Sequence, residues 1–472
     1  MKNATPTMFI KMQLIELLNN QVDYISMRQI CDELQNSNGN LIRSLCLELQ
    51  KEIEELYKTE EMALLITKRE GVRLQRNGVN MQRLTSAIFS NSSSYNILYT
   101  LFLNKSVTTA DFCEEYFISR STLSRKLKRL NQILNTFDLH ISLSEHMSLR
   151  GEESKIRLFY HFYFHIVHQG IDNLPWHSDI FPSLEVICQL LTYLDLVPQK
   201  NTLSDARSFI YISMQRIENH FSISEEDPAT EFLSAYEFVE KPAFLTDWNQ
   251  RDWQLFLLAI YVTDIFSAEK LVKKKTSSIF KKEVALWLTT FEKNVHLLGV
   301  SEKENLSSYL DAQLQLQFLF PMTKLLMDLI GVRKYRHFEL DFPEYLNHFN
   351  QFWEQLSAKS PLFRNSVYMH FSSLMNSIKV LDLTVFNPKI RLFVQSDVTK
   401  LHQSFMEKRI NYHLAKYTVE FVPSPEKADL VISTLTFRTE QPLPKNVIQI
   451  CTYLSISDLE NITQRVDAFL EN

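Results

Sequence analysis

Hydrophobic and polar positions along the first 150 residues trace one pattern twice: helices, a short polar break, another helix, then a hairpin. In the first pass an amphipathic helix is expected around Phe9–Asn19, followed by a helical stretch from Ser26 to Gln35. The break Asn36-Ser-Asn-Gly-Asn40 leads into a helix from about Leu41 to Leu56, where Leu41, Leu45, Leu49 and Ile53 recur as one buried stripe. Ala63–Thr67, a turn at Arg69-Glu-Gly71 and Val72–Leu74 predict a two-stranded hairpin. In the second pass Thr109 is a candidate N-cap for a short helix over Ala110–Tyr116, with Asp111 favourable in its first turn. Phe117-Ile118 makes the break, and Ser119 caps a helix from Arg120 to about Leu134. A second hairpin follows over Leu139–Leu143 and Met147–Arg150, across Ser144-Glu-His146. Helix, tight turn, helix and hairpin is the layout of a winged helix-turn-helix, here in tandem.

From about Lys155 to Phe386 the pattern is helical almost throughout, with connections marked by Pro182, Pro228, Pro242, Pro321 and Pro361 and no strand-like alternation. That length suits two helical-bundle units, with a seam near 285–300. The last 84 residues change character. Short apolar runs at Ile390–Val394, Thr418–Val422, Asp429–Ser433 and Val447–Cys451 alternate with helices at Val398–Lys416 and Asp458–Leu470. Such alternation predicts a small parallel α/β domain. The chain is therefore expected to be mainly α, divided at 1–80, 81–155, 156–290, 291–387 and 388–472.

Composition narrows the chemistry. Only 7 glycines occur in 472 residues, where average usage gives roughly 33. Phosphate-cradling loops depend on glycine, and neither a G-x-G-x-x-G nor a P-loop motif is present. Five widely spaced cysteines without a C-x-x-C pair argue for reduced thiols and against a disulfide framework or zinc finger. The start MKNATPTMFI lacks an apolar signal region, and the longest apolar run, Trp253–Phe266, is too short to span a bilayer. A cytoplasmic protein with no membrane partner is expected. His161, His165 and His168 share a helical face, but Phe162 stands where a zincin needs Glu, so packing is preferred to a metal site. No nucleophile elbow, kinase motif set or paired-carboxylate signature occurs. Neither an enzymatic role nor a cofactor has positive support.

A net charge of −5 does not announce nucleic-acid binding, so such a role must come from local charge. Between Ser119 and Leu130 lie five basic residues and no acidic one. With Leu123, Leu127, Leu130 and Leu134 facing the core, Ser121, Arg125 and Lys128 fall opposite, with Ser124 beside them; Arg120, Lys126 and Arg129 flank this face, where phosphates would lie. The bland alternative is a solvated face whose cations pair with Glu114 and Glu115. In the first module the corresponding helix carries Arg43 and Lys51 but also Glu48, Glu52, Glu54 and Glu55, which phosphates repel. Its hairpin, with Lys68, Arg69, Arg73 and Arg76 against Glu70, is the better backbone contact.

The stretch Phe117-Ile-Ser-Arg-Ser-Thr-Leu-Ser-Arg-Lys-Leu-Lys-Arg-Leu130, with the wing ending Leu149-Arg-Gly-Glu-Glu153, resembles the Mga-type (AtxA-like) regulators of Gram-positive bacteria. The resemblance implies a dimeric DNA-binding transcription activator of surface or virulence-type genes. It further implies two phosphotransferase-regulation domains (PRDs) and a tail like the IIB component of sugar phosphotransferase systems. PRDs in related regulators are phosphorylated on histidine by the phosphocarrier protein of sugar uptake. Ser208–Ile217 resembles the first PRD helix, but Phe209 stands at the expected acceptor, leaving His220 as its substitute. Tyr368-Met-His-Phe371 resembles an acceptor context and makes His370 the leading candidate. Where a IIB carries its phosphorylated cysteine, this chain reads Phe393-Val-Gln-Ser-Asp-Val398. Phosphotransfer there is not expected, and the resemblance implies a domain kept for dimerisation or partner binding. Two alternatives are a PRD-type RNA-binding antiterminator, which needs a β-rich N-terminal module, and a phosphotransferase component, which needs that cysteine.

Overall fold

A computed structural model describes residues 7–36, 38–168, 174, 181–195, 200–263, 271–274, 279–329, 338, 342–435 and 446–470. Two compact units emerge: Met1–Ser278 with Ala312–Thr323, and Ile279–Asp311 with Lys324–Asn472. The fold is mainly helical, with four small sheets among the described residues.

In the first unit the N-terminal module comprises α1 (Thr7–Asn19), α2 (Met27–Glu33), α3 (Gly39–Leu56) and the antiparallel hairpin β1 (Met62–Thr67) and β2 (Gly71–Arg76). The buried stripe on α3 is Ile42, Leu45, Cys46, Leu49 and Ile53, while Leu41 is only half-buried. Side chains lean back over the preceding turn, so the stripe includes the neighbours Ile42 and Cys46. An isolated bridge between Ile25 and Val72 joins the chain before α2 to the hairpin. Gly71 sits at φ +110°, where an added Cβ would lie 2.2 Å from the Ile25 carbonyl oxygen, so glycine lets the two backbones meet.

Two helices that the sequence pattern did not single out, α4 (Gln82–Ser90) and α5 (Ser93–Leu103), precede the second module. It comprises β3 (Val107–Thr108), α6 (Thr109–Glu115), α7 (Arg120–Leu134), β4 (His140–Leu143) and β5 (His146–Arg150), in a sheet ordered β3-β5-β4. The N-cap of α6 is Thr108 rather than Thr109: the Thr108 hydroxyl accepts from the Asp111 amide at 3.1 Å. Thr109 is the first helical residue, and its hydroxyl donates to the Ser144 carbonyl at 2.8 Å, tying α6 to the wing.

Beyond β5 follow α8 (Glu153–His168), α9 (Phe181–Tyr193), α10 (Lys200–Glu218), α11 (Ala229–Ser234), β6 (Tyr236–Phe238), α12 (Gln250–Val262) and β7 (Val272–Lys274). The expectation of a strand-free middle is corrected here, because β6 and β7 pair antiparallel. Three residues per strand are too few for alternation to be read. Asp264–Phe266, the end of the long apolar run, lie outside the described residues. A buried charge cluster fastens the start of α8. Glu153 accepts from Arg157 Nε at 3.1 Å and from Arg216 Nη2 at 2.6 Å, and Arg157 donates to Asp252 at 2.6 Å. Asp227 accepts from both the amide and the hydroxyl of Ser154, so α8 is capped by a residue remote in sequence.

The second unit holds α13 (Lys281–Asn294), α14 (Val300–Leu319, whose last turns from Ala312 belong to the first unit), α15 (Lys324–Leu329), α16 (Pro343–Lys359) and α17 (Val367–Val380). The tail adds β8 (Lys389–Gln395), α18 (Lys400–His413), β9 (Thr418–Phe421), β10 (Leu430–Ser433), β11 (Val447–Gln449) and α19 (Ile456–Leu470). Its sheet is parallel throughout and ordered β11-β10-β8-β9, as the alternating runs predict. Ile390, Leu392, Val394 and Ile432 pack with Met406, Ile410, Ile462 and Val466 in one core.

Candidate nucleic-acid interface

The second helix-turn-helix is built around α7. Ser119 takes an extended conformation and its Oγ accepts from the Thr122 amide at 3.2 Å, satisfying one of the orphan donors at the helix start. Leu123, Leu127, Leu130 and Leu134 are buried, as the spacing predicts. Asn131 couples helix to wing through two bonds to one strand residue. Its amide nitrogen donates to the Ile141 carbonyl at 2.9 Å, and its oxygen accepts from the Ile141 amide at 2.7 Å. This side chain completes the backbone pairing of β4 and sets the angle between wing and helix.

The turn before α7 is a Schellman closure of α6: the Ile118 amide donates to the Cys113 carbonyl at 2.9 Å and the Phe117 amide to that of Glu114 at 3.2 Å. Phe117 takes the left-handed position at φ +50°. The first module closes α2 in the same way, with Gln35 at φ +49°.

On the opposite side of α7, Arg120, Ser121, Ser124, Arg125, Lys128 and Arg129 are exposed, while Lys126 is half-buried. Among the described residues none of the five cations forms an ion pair, and Glu114 and Glu115 pair with none of them. Their polar contacts are weak: Arg120 reaches the Ser144 carbonyl at 3.4 Å and Arg125 the Thr122 hydroxyl at 3.4 Å. Neither contact neutralises charge. A solvated helix face thus carries five uncompensated positive charges beside an exposed wing bearing His140, His146 and Arg150. Such a face can hydrogen-bond to base edges and attract phosphates.

The first module is arranged differently. On α3, Glu48 and Glu52 hold the buried Lys11 of α1 at 2.9 and 2.8 Å. Burial by itself would lower the Lys11 pKa; hydrogen bonds and attraction from Glu52 and Glu48 outweigh it and raise the value. On the hairpin, Lys68 and Arg69 are exposed at the turn. Arg73 and Arg76 are less available. Arg73 is half-buried with its guanidinium 5.9 Å from the Tyr24 ring, and Arg76 donates to Asn19 at 3.2 Å and to the Val79 carbonyl at 2.7 Å. The cationic wing of this module is therefore concentrated at Lys68 and Arg69.

The histidines are dispersed. His161 packs 4.9 Å from the buried Phe209 ring, His165 is exposed, and His168 Nε2 lies 3.0 Å from the Tyr95 hydroxyl. Burial pushes the His168 pKa down to about 4, so the ring is neutral near pH 7 and its tautomer sets the direction of that bond. Among the described residues no group of three metal-binding side chains converges. His220 is exposed just past α10 at φ +63°. His370, half-buried on α17, sits edge-on to Trp353 at 4.9 Å and to Phe349 at 5.4 Å, and burial lowers its pKa. At the end of β8, Asp397 accepts from the Thr434 hydroxyl at 2.5 Å, and Ser396 Oγ lies 2.7 Å from His402 Nδ1.

No described helix is long and apolar enough to cross a membrane. Residues 77–164, which contain α7 and its wing, match the Mga helix-turn-helix domain. The chain is also 26% identical over 359 residues to a Streptococcus pneumoniae serotype 4 protein named "Putative trans-acting regulator", covering 69% of this chain and 70% of that one. With its cations outside any described ion pair on the open face of that helix-turn-helix, the chain is a DNA-binding transcription regulator that carries a domain similar to the Mga helix-turn-helix.

Proposed function

We propose that α7 enters the major groove, with Ser121, Ser124, Arg125 and Lys128 toward base edges and Arg120, Lys126 and Arg129 on flanking phosphates. Lys68 and Arg69, with a smaller share from Arg73, add backbone attraction from the first module. The observation that carries this reading is the absence of any ion pair on the cationic face of α7 among the described residues. The regulator acts as a homodimeric activator, whose two-fold axis places paired α7 helices on the duplex. Arg125→Ala combined with Lys128→Ala abolishes retardation of a promoter fragment in a gel; unchanged retardation overturns the assignment.

Control of this activity belongs, in the same proposal, to the PRD-like segments 156–290 and 291–387, with the IIB-like segment 388–472 serving assembly. His370 is the acceptor for phosphate from the phosphocarrier. Its support is a neutral imidazole, favoured by burial between Phe349 and Trp353 and therefore nucleophilic at neutral pH. His220 ranks second, and the buried Phe209 cannot substitute for either. Incubation with the phosphocarrier and labelled phosphoenolpyruvate, in the presence of the enzyme that charges the carrier, labels the protein in an acid-labile form. Label that resists acid, or that survives His370→Ala, removes His370 from the proposal.

A further inference from the structure

Phe117 combines two features that packing does not account for. Its backbone is left-handed at φ +50°, where a Cβ crowds the carbonyl oxygen and glycine is the usual occupant. Its side chain is 95% exposed, the most exposed of the large apolar residues described. The ring therefore gains nothing from the fold while occupying a strained position, and such outliers concentrate at functional surfaces. The first module supplies an internal comparison. Its equivalent residue is Gln35, in a module whose α3 carries glutamates, so the aromatic ring occurs only beside the uncompensated cations.

We infer that Phe117 is a DNA-reading residue, its ring packing on the C5-methyl group of a thymine at the edge of the major groove entered by α7. The inference rests on the groove-binding reading proposed above. Phe117 precedes the cap Ser119 by two residues, at most about 7.6 Å along the chain, so it travels with the N-terminus of α7. In helix-turn-helix complexes that end of the recognition helix meets base edges. Five positive charges on the following helix select a polyanion over an apolar protein surface as the occupant. The apolar group that duplex DNA offers in its major groove is the thymine methyl, and Phe is among the side chains suited to it.

The test uses the full-length protein and a duplex enriched from a random-sequence pool by the wild type. A second duplex carries deoxyuridine in place of every thymine. Phe117→Gly relieves the left-handed position, so its thermal midpoint equals or exceeds that of the wild type. On the thymine duplex it binds about tenfold more weakly, equivalent to roughly 1.4 kcal/mol. The wild type loses a similar factor on the deoxyuridine duplex, and Phe117→Gly is indifferent to the exchange. Wild-type affinity in Phe117→Gly, or undiminished sensitivity of that variant to deoxyuridine, overturns the inference. So does a lowered oligomeric state with DNA affinity intact, which assigns the ring to a protein contact. The Arg125→Ala, Lys128→Ala variant separates the two readings. If it binds normally, the groove-binding proposal fails; if it loses binding while Phe117→Gly does not, the thymine contact alone fails.

Discussion

The division of labour across α7 makes a quantitative prediction about salt. Each phosphate neutralised by a cation contributes about −0.9 to the slope of log affinity against log salt concentration. Arg120 and Arg129 are exposed and unpaired, while the half-buried Lys126 reaches a phosphate only if its stem lies along the protein surface. Replacing all three by alanine should flatten the slope by about 1.8, and by up to about 2.7 if the Lys126 head engages, per α7 bound. Between 50 and 200 mM salt, the larger figure makes the wild type lose about fortyfold more affinity than the triple variant. The loss should be uniform over DNA sequences. Arg125→Ala with Lys128→Ala should instead compress the ratio of specific to non-specific binding, since base contacts set that ratio. Fluorescence anisotropy of a labelled duplex, titrated at four or more salt concentrations, measures both. Equal slopes in wild type and triple variant would refute the placement of phosphates along Arg120, Lys126 and Arg129.

Three further outcomes follow from the same structure. Ser119→Ala removes the cap of α7 and should cost about 1 kcal/mol in urea unfolding, with a loss of DNA affinity if the helix start frays; no change in midpoint contradicts the cap. Glu153→Ala leaves the buried Arg157 with Asp252 but takes from the buried Arg216 the carboxylate to which it donates. Breaking a buried ion pair this way costs about 3–5 kcal/mol, and a loss under 1 kcal/mol by chemical denaturation would show the cluster to be dispensable. The proton affinity of His168 is lower folded than unfolded, so its contribution is complete above pH 6.5 and declines as the pH falls toward its folded value of about 4. Across that window the first unit should lose about 3 kcal/mol, and His168→Phe should flatten the decline in a pH series of thermal midpoints.

Elements with strong periodicity are legible in the sequence. The four leucines of α7, its cap at Ser119 and the four strands of the tail appear where the pattern places them. The misses share a cause: long-range partners decide what local composition leaves open. Thr108 and Thr109 are equivalent as caps by type, and the choice depends on the bond from Thr109 to Ser144. Arg73 and Arg76 read as free cations along the hairpin because Tyr24 and Asn19, which engage them, lie some fifty residues earlier. The break at Phe117-Ile118 was visible, but a phenylalanine there suggests packing, and only the backbone angle and exposure reveal otherwise.

The two modules share their backbone devices: a capping residue before α2 or α6, a left-handed closure, a second cap before α3 or α7, and a hairpin bridged to the extended backbone just before α2 or α6. What differs is how surface charge is compensated. On α3 the glutamates are partly neutralised by Lys11 from α1, so that helix is drawn toward its own module. On α7, Arg125 faces Lys128 and Arg129 at i+3 and i+4, and Lys126 faces Arg129 at i+3, each pair repelling by roughly 0.2–0.5 kcal/mol. The buried leucines and the Ser119 cap hold the helix against that repulsion. A phosphate backbone relieves it, so the free protein carries in α7 a small electrostatic penalty that binding to DNA removes.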